Sequence, residues 1–227
     1  MSTRPVVPAW KRWLSYFTEV HIESASSSYN PHLYVSMVAG RYMLSTDKAI
    51  YSYGDRYYNF GHVLDRMDLS NKKDVLILGF GLGSIPILLE KKYSHMQITG
   101  VEIDEEVIYL ASKYVIPRLQ SEINLIQADA ETFIDLGRHK YDLIAMDVFE
   151  SDYIPHRFES EAFLGKLKSA LTTDGILLYN RLAYTDADLE NTDQFFNGPF
   201  LRQFPEGMQV GVKGNRMLVN SRKYLDS

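Results

Sequence analysis

The stretch DVLILGFGLGS at 74–84 constrains this chain more than any other. Val75 to Leu78 is an unbroken apolar run that suits a strand buried on both faces. Gly79, Gly81 and Gly83 then remove the Cβ at alternate positions where the chain turns into a helix predicted over 84–92. The free N–H groups and positive dipole end of that helix favour an anionic or polar ligand group beside the turn. Such a loop serves dinucleotide enzymes, nucleoside-sulfonium enzymes and plain strand-to-helix packing alike, so the flanking chain has to separate them.

Downstream, apolar periodicity predicts strands over 97–101, 123–127, 141–146 and 175–179, alternating with helices over 105–119, from Glu131, and over 161–171. This alternation predicts an α/β fold: a doubly wound, Rossmann-like, mostly parallel sheet whose ligands sit outside the carboxyl ends of its strands. The polar residues at those ends are therefore the informative ones. Glu102 closes the second strand about twenty residues past the glycine loop, where an acid can accept bonds from both ribose hydroxyls of an adenosine. Asp104, one step further on, reads as the N-cap of the next helix. Asp129 ends the third strand and has two readings. It can accept from an adenine amino group while the backbone N–H of Ala130 meets a ring nitrogen, or it can cap the following helix. The last strands, 208–212 and 216–220, flank Lys213-Gly214-Asn215 and read as an antiparallel hairpin. That ending favours an S-adenosyl ligand over a dinucleotide.

Upstream, Trp10, Trp13, Leu14 and Phe17 are at helical spacing within 8–18 and predict a short amphipathic helix lying on another element. β-rich segments at 33–38, 41–46 and 49–53, punctuated by Ala39-Gly40 and Asp47-Lys48, predict a small antiparallel sheet with 17–22 as a possible fourth strand. A helix over 59–67 then leads to the glycine-loop strand. The expected organisation is a helix and small sheet over 1–60 followed by the nucleoside-binding domain over 61–227. Tyrosines 42, 51, 53, 57 and 58 either line a cleft at this junction or fill a thin sheet with one wet face.

A chain of 227 residues with 45% hydrophobic side chains can bury one full core. The absence of cysteine excludes a disulfide scaffold and any thiolate metal site, and the first thirty residues hold no continuous apolar core. The expectation is a soluble cytoplasmic protein with no membrane partner. A net charge of −5 argues against a nucleic-acid groove and tolerates a cationic substrate. No His-x-x-x-His pair or carboxylate cluster has metal-ligand spacing, so no metal is expected. His156 reads as a solvated loop residue and His62 as a packed or capping one.

The hairpin GRYMLSTDKAIYS, the loop LGFGLGS, and then VEIDEEVI, QADAETFI, YDLIAMDVF and LTTDGILLYN resemble the spermidine synthase family and its methyltransferase-like relatives over about 33–180. The resemblance implies a nucleoside held by Gly79, Gly81, Gly83, Glu102, Asp129 and Ala130, with a small amine substrate approaching between the small sheet and Asp147. It also implies a homodimer or higher homo-oligomer. Three features depart from the family. Its loop is GGGDG, and Leu82 stands where the Asp holds the aminopropyl amine. Its DSSDP or DSTDP signature becomes Asp147-Val148-Phe149-Glu150-Ser151-Asp152, leaving Glu150 as the candidate second acid. Its hairpin Gln becomes Tyr51, and its acidic tyrosine motif is reduced to Tyr57-Tyr58-Asn59-Phe60, from which Tyr58 is taken as a catalytic candidate.

Alkyl transfer from a sulfonium requires a neutral nucleophile in line with the carbon–sulfur bond, and a carboxylate after the buried run 143–146 can steer an amine and take its proton. Asp147 is assigned that role; its competing reading is a bond to the backbone of its own loop. The sequence-based expectation is a transferase using S-adenosylmethionine, with methyl transfer ranked first because of Leu82. Aminopropyl transfer from decarboxylated S-adenosylmethionine is the alternative, and a non-catalytic nucleoside-binding protein the third reading.

Overall fold

The computed structural model describes residues 7–47, 49–93, 96–150 and 153–225. Lys48 of the expected Asp47-Lys48 turn, and Ser151 and Asp152 of the loop after Asp147, lie outside the described residues. Two sheets are present. Strands β1 (Val20–Ala25), β2 (Leu33–Val38), β3 (Arg41–Ser45) and β4 (Ile50–Ser52) form an antiparallel sheet in chain order. Strands β5 (Asp74–Leu78), β6 (Gln97–Glu102), β7 (Glu122–Gln127), β8 (Tyr141–Met146), β9 (Leu171–Leu182), β10 (Met208–Val212) and β11 (Asn215–Val219) form a second sheet in the order β10-β11-β9-β8-β5-β6-β7. Its β5, β6, β7, β8 and β9 run parallel, and β11 pairs antiparallel with both β9 and β10.

β5 sits at the centre because both its faces are apolar. Val75 and Ile77 pack on the side of the small sheet, with helices α2 (Tyr58–Leu64), α3 (Ser84–Glu90) and α4 (Glu105–Tyr114). Leu76 and Leu78 pack on the other side, with α5 (Ala130–Leu136), α6 (Glu161–Ala170) and α7 (Asp186–Phe195). Strand order reverses between β5 and β8, so a crevice opens where their carboxyl ends diverge. Leu33, Val35 and Leu44 of the small sheet share one buried cluster with Phe60, Val75 and Ile77, so the apolar core runs through the expected boundary at residue 60.

Several elements differ from expectation: the possible fourth strand at 17–22 is β1, at Val20–Ala25, the helix expected over 59–67 is α2, at Tyr58–Leu64, and three further differences have evident causes. The first helix, α1 (Ala9–Leu14), does not lie on an apolar partner: Trp10, Trp13 and Phe17 are 62%, 67% and 72% exposed, and Trp13 packs on Phe17. It is anchored by hydrogen bonds instead, since the buried Ser15 accepts from Ala39 N–H through its carbonyl and from Gly40 N–H through its hydroxyl. The helix predicted to reach 119 stops at Tyr114, and Ile116–Arg118 forms a tighter turn because Pro117 has no N–H to extend the ladder. β9 extends to Leu182 because β11 supplies partners for 180–182, beyond Tyr179 where its pairing with β8 ends.

Candidate active site

A cavity of about 1200 Å³ opens at the carboxyl ends of β5, β6, β7, β8 and β9, walled on one side by the small sheet. Gly79, Gly81, Glu102, Asp129, Ala130, Asp147 and Glu150 line it; Gly83 and Tyr58 do not.

Each glycine of the loop has its own reason. Gly79 has φ +83°, and a Cβ there would overlap the carbonyl of Asp147, so the two strand ends meet backbone to backbone. Gly81 (φ +54°) lies against the Tyr51 carbonyl and exposes its backbone to the cavity. Gly83 caps α3 with φ +82°, and the Phe80 ring and Val115 fill the space a side chain would need. The third glycine therefore serves packing, the plain reading of such a loop. Leu82 is 1% exposed and belongs to the apolar core, so the loop offers the cavity backbone and no carboxylate.

Glu102 accepts from the N–H groups of Gly81 (3.1 Å), Ile103 (2.9 Å) and Asp104 (3.2 Å), tying the end of β6 to the loop. Burial raises its pKa, opposed by those three backbone donors. Asp104 is the N-cap of α4, accepting from Glu106 N–H (2.9 Å), and it also accepts from the Ser27 hydroxyl (2.6 Å) and the Asn30 amide (2.8 Å). One side chain thus starts a helix and straps the β1–β2 connection over the cavity. Asp104→Ala is expected to lower stability by about 1–2 kcal/mol, the size of a lost cap, as read from thermal denaturation. Asp129 caps α5 through Oδ1, accepting from Thr132 N–H (3.0 Å), while Oδ2 pairs with Arg157 (2.7 Å).

Asp147 follows β8 directly, its N–H donating to Leu78 O at 2.8 Å. The Asn180 amide donates to Oδ1 at 2.8 Å, and Tyr57 lies beside the same carboxylate. Burial pushes the Asp147 pKa up to about 6, Asn180 and Tyr57 oppose that rise, and the charge of Glu102 adds to it. The Asp147 carboxylate is thus held from a distant strand, with the junction before α2 beside it. Glu150 is exposed and accepts from the Tyr153 hydroxyl at 2.5 Å. Tyr58 turns away from the cavity and stacks on His62 beside a depression of about 450 Å³, while its neighbour Tyr57 faces Asp147. His156 is solvated as expected and pairs with Glu159.

Sequence reasoning named Tyr57 only as one of five tyrosines that could line a cleft, and missed Asn180, Arg157, Asp188 and Asn215; all five of these residues line the cavity. Asn180 stands one residue past the strand predicted over 175–179, so the strand-end rule applied to β9 finds it. Thr185 and Asp188 form a capping box at the start of α7, and the Thr-x-x-Asp spacing is its signal. Tyr57 and Asn215 carry no local signal. The cavity is strongly acidic: Glu102, Asp104, Asp129, Asp147, Glu150 and Asp188 line it, against Arg157 and Lys213.

Comparison with known proteins agrees with this architecture. Residues 60–204 match the model of the spermine/spermidine synthase domain. A polyamine aminopropyltransferase from Vibrio vulnificus is 36% identical over 111 residues, 47% of this chain and 36% of that protein. The S-adenosyl-L-methionine-dependent methyl transferase PigF from Serratia sp. is 26% identical over 175 residues, 69% of this chain and 50% of PigF. This chain thus spans about half or less of the length of these relatives. A spermidine synthase crystallised with the transition state analogue AdoDATO shares the fold, with a TM-score of 0.70 at 18% identity over 91% of this chain and 77% of that one. The chain, carrying that domain over most of its length, belongs to the spermine/spermidine synthase family.

Proposed function

We propose that the protein transfers an aminopropyl group from decarboxylated S-adenosylmethionine to a small amine. The observation that carries this reading is the acidic lining. S-adenosylmethionine brings a carboxylate of its own, and the six carboxylates that line the cavity among the described residues disfavour it; the decarboxylated donor brings a sulfonium and an ammonium, which they favour. Arg157, one of the two cations that line the cavity among the described residues, is already paired with Asp129. The family match supports the same choice, so the alternative from the sequence ranks above methyl transfer.

In this reading Gly79 and Gly81 let the nucleoside approach backbone, and Glu102 meets the ribose hydroxyls in place of its bond to Gly81. Asp129 and Ala130 flank the base. Asp147, ionised above pH about 6, attracts the acceptor ammonium and takes its proton. The freed nitrogen lone pair attacks the methylene carbon on sulfur, the carbon–sulfur bond breaks, and its electron pair neutralises the sulfonium, leaving methylthioadenosine. Tyr57 and Asn180 hold Asp147 in place throughout. Glu150 is the second acid on the acceptor side, and Tyr57 takes the position assigned to Tyr58 from the sequence.

One observation favours methyl transfer instead: the loop acid of the family is absent, and Leu82 is buried. Calorimetry with S-adenosylmethionine, its decarboxylated form and methylthioadenosine separates the readings. The decarboxylated donor is expected to bind at least about tenfold more tightly than S-adenosylmethionine, the scale of one charged contact. The opposite preference, with methylated products by mass spectrometry, would replace the proposal by methyl transfer.

A further inference from the structure

We propose that Asn215, on the terminal hairpin, is a positioning residue that fixes the Asn180 amide with its NH₂ group toward Asp147. This inference rests on the reading of Asp147 as the group that meets the acceptor amine.

Asn180 is 1% exposed, so its amide has no access to bulk water. A carboxylate only accepts, so Asn180 has to present Nδ2 to Asp147, as it does at 2.8 Å. That leaves Asn180 Oδ1 buried and in need of a donor, and Asn215 Nδ2 supplies one at 3.0 Å. The polarity of this chain, Asn215 to Asn180 to Asp147, is set from its charged end. Strand register makes it possible: Met217 pairs with Asn180 and Asn215 with Leu182, so the two asparagines are diagonal neighbours on one face of the β9–β11 pair. Without the Asn215 donor, the two ends of the Asn180 amide differ less, and a flipped amide would point Oδ1 at a carboxylate. The terminal hairpin thereby sets the ionisation of a residue more than sixty positions earlier in the chain.

Two other titratable groups act on the same carboxylate, Tyr57 from the junction before α2 and Glu102 from the end of β6; Glu150, from the loop after β8, and Lys213, from the hairpin turn, line the same cavity. A neutral replacement of Asn215 leaves all four in place, so a change in Asp147 titration reports the amide.

The test is carbon-13 NMR titration of the full-length protein labelled at aspartate carboxyls, without substrate, with the Asp147 signal assigned by its loss in Asp147→Asn. Four proteins are compared: wild type, Asn180→Leu, Asn215→Leu and the double variant. Asn215→Leu is expected to raise the Asp147 pKa by about one unit, the effect of weakening one hydrogen bond to a charged group. The double variant is expected to titrate like Asn180→Leu alone, because a residue acting through Asn180 has nothing left to act on. Where Asn215→Leu does not fold, Asn215→Ala takes its place in the cycle. An unchanged Asp147 titration in the Asn215 variant, or additive shifts in the double variant, would overturn the proposal. Because no substrate is present, this outcome is independent of which group the protein transfers; failure of the aminopropyl reading would show instead in the donor calorimetry.

Discussion

Asp147→Asn is expected to reduce turnover by about 10² to 10⁴ while leaving nucleoside binding within about threefold of wild type. In the proposed reading the two effects separate, because Asp147 meets the acceptor amine whereas Glu102 and the glycine loop hold the nucleoside. In the wild type, kcat/KM is expected to rise with pH through about 6 as Asp147 loses its proton, and the variant should lose that limb. Unchanged turnover, or a lost binding isotherm, would remove Asp147 from the chemistry. The same substitution makes a stability prediction of opposite sign. The folded pKa of Asp147 lies above that of an unfolded aspartate, so its contribution to stability is fully present at low pH and is lost as pH rises through about 6. Asparagine stays neutral and keeps the bond from Asn180. The variant should therefore match wild type near pH 4 and gain on the order of 1 kcal/mol at pH 8, about 2–4 °C in Tm. An inactive variant that is more stable only at high pH is what a carboxylate retained for function predicts.

Gly79→Ala is expected to lower stability by about 2–5 kcal/mol and to abolish nucleoside binding at ordinary ligand concentrations. The left-handed backbone, φ +83°, accounts for about 1–2 kcal/mol and the steric overlap for about 1–3. Relief by movement is blocked on both sides. Gly79 N–H is tied to Val101 O at 2.9 Å, and the Asp147 backbone, whose carbonyl the new methyl would meet, is tied to Leu78 O at 2.8 Å. Gly211→Ala is the control: a Cβ on β10 meets nothing within 4 Å, and a change within roughly ±0.5 kcal/mol is expected. Equal behaviour of the two variants in thermal melts and calorimetry would contradict the backbone contact between the ends of β5 and β8.

The parts of the fold that were legible are those in which side-chain chemistry follows the local period. β2, β8 and β10 have the bounds the apolar runs predicted, 33–38, 141–146 and 208–212. The terminal hairpin turns at Gly214, with φ +76°. Residues 183–207 were not legible. The segment DADLENTDQF of α7 carries no apolar stripe; its helix depends on the Thr185 capping box and on Phe195, which packs beside Tyr179 and Phe200. The tyrosines divide by the same logic. A shift of one residue at the start of α2 turns Tyr57 toward Asp147 and Tyr58 toward His62, and composition cannot register a rotation of that kind.

Sequence alone was sufficient to locate three of the acids, because the end of a buried strand is a local property: Glu102, Asp129 and Asp147 each follow an apolar run and all line one cavity. What those acids are bonded to depended on the packing of remote elements. Arg157 comes to Asp129, Asn30 to Asp104, and Asn180 to Asp147 with Asn215 behind it, across sequence separations that no period encodes. Burial and hydrogen bonding move a carboxylate's pKa, and both are properties of the assembled neighbourhood. The loop at 74–84 therefore marked a candidate ligand site, while the ionisation of Asp147 and the inward turn of Leu82 were decided only when the two sheets closed over it.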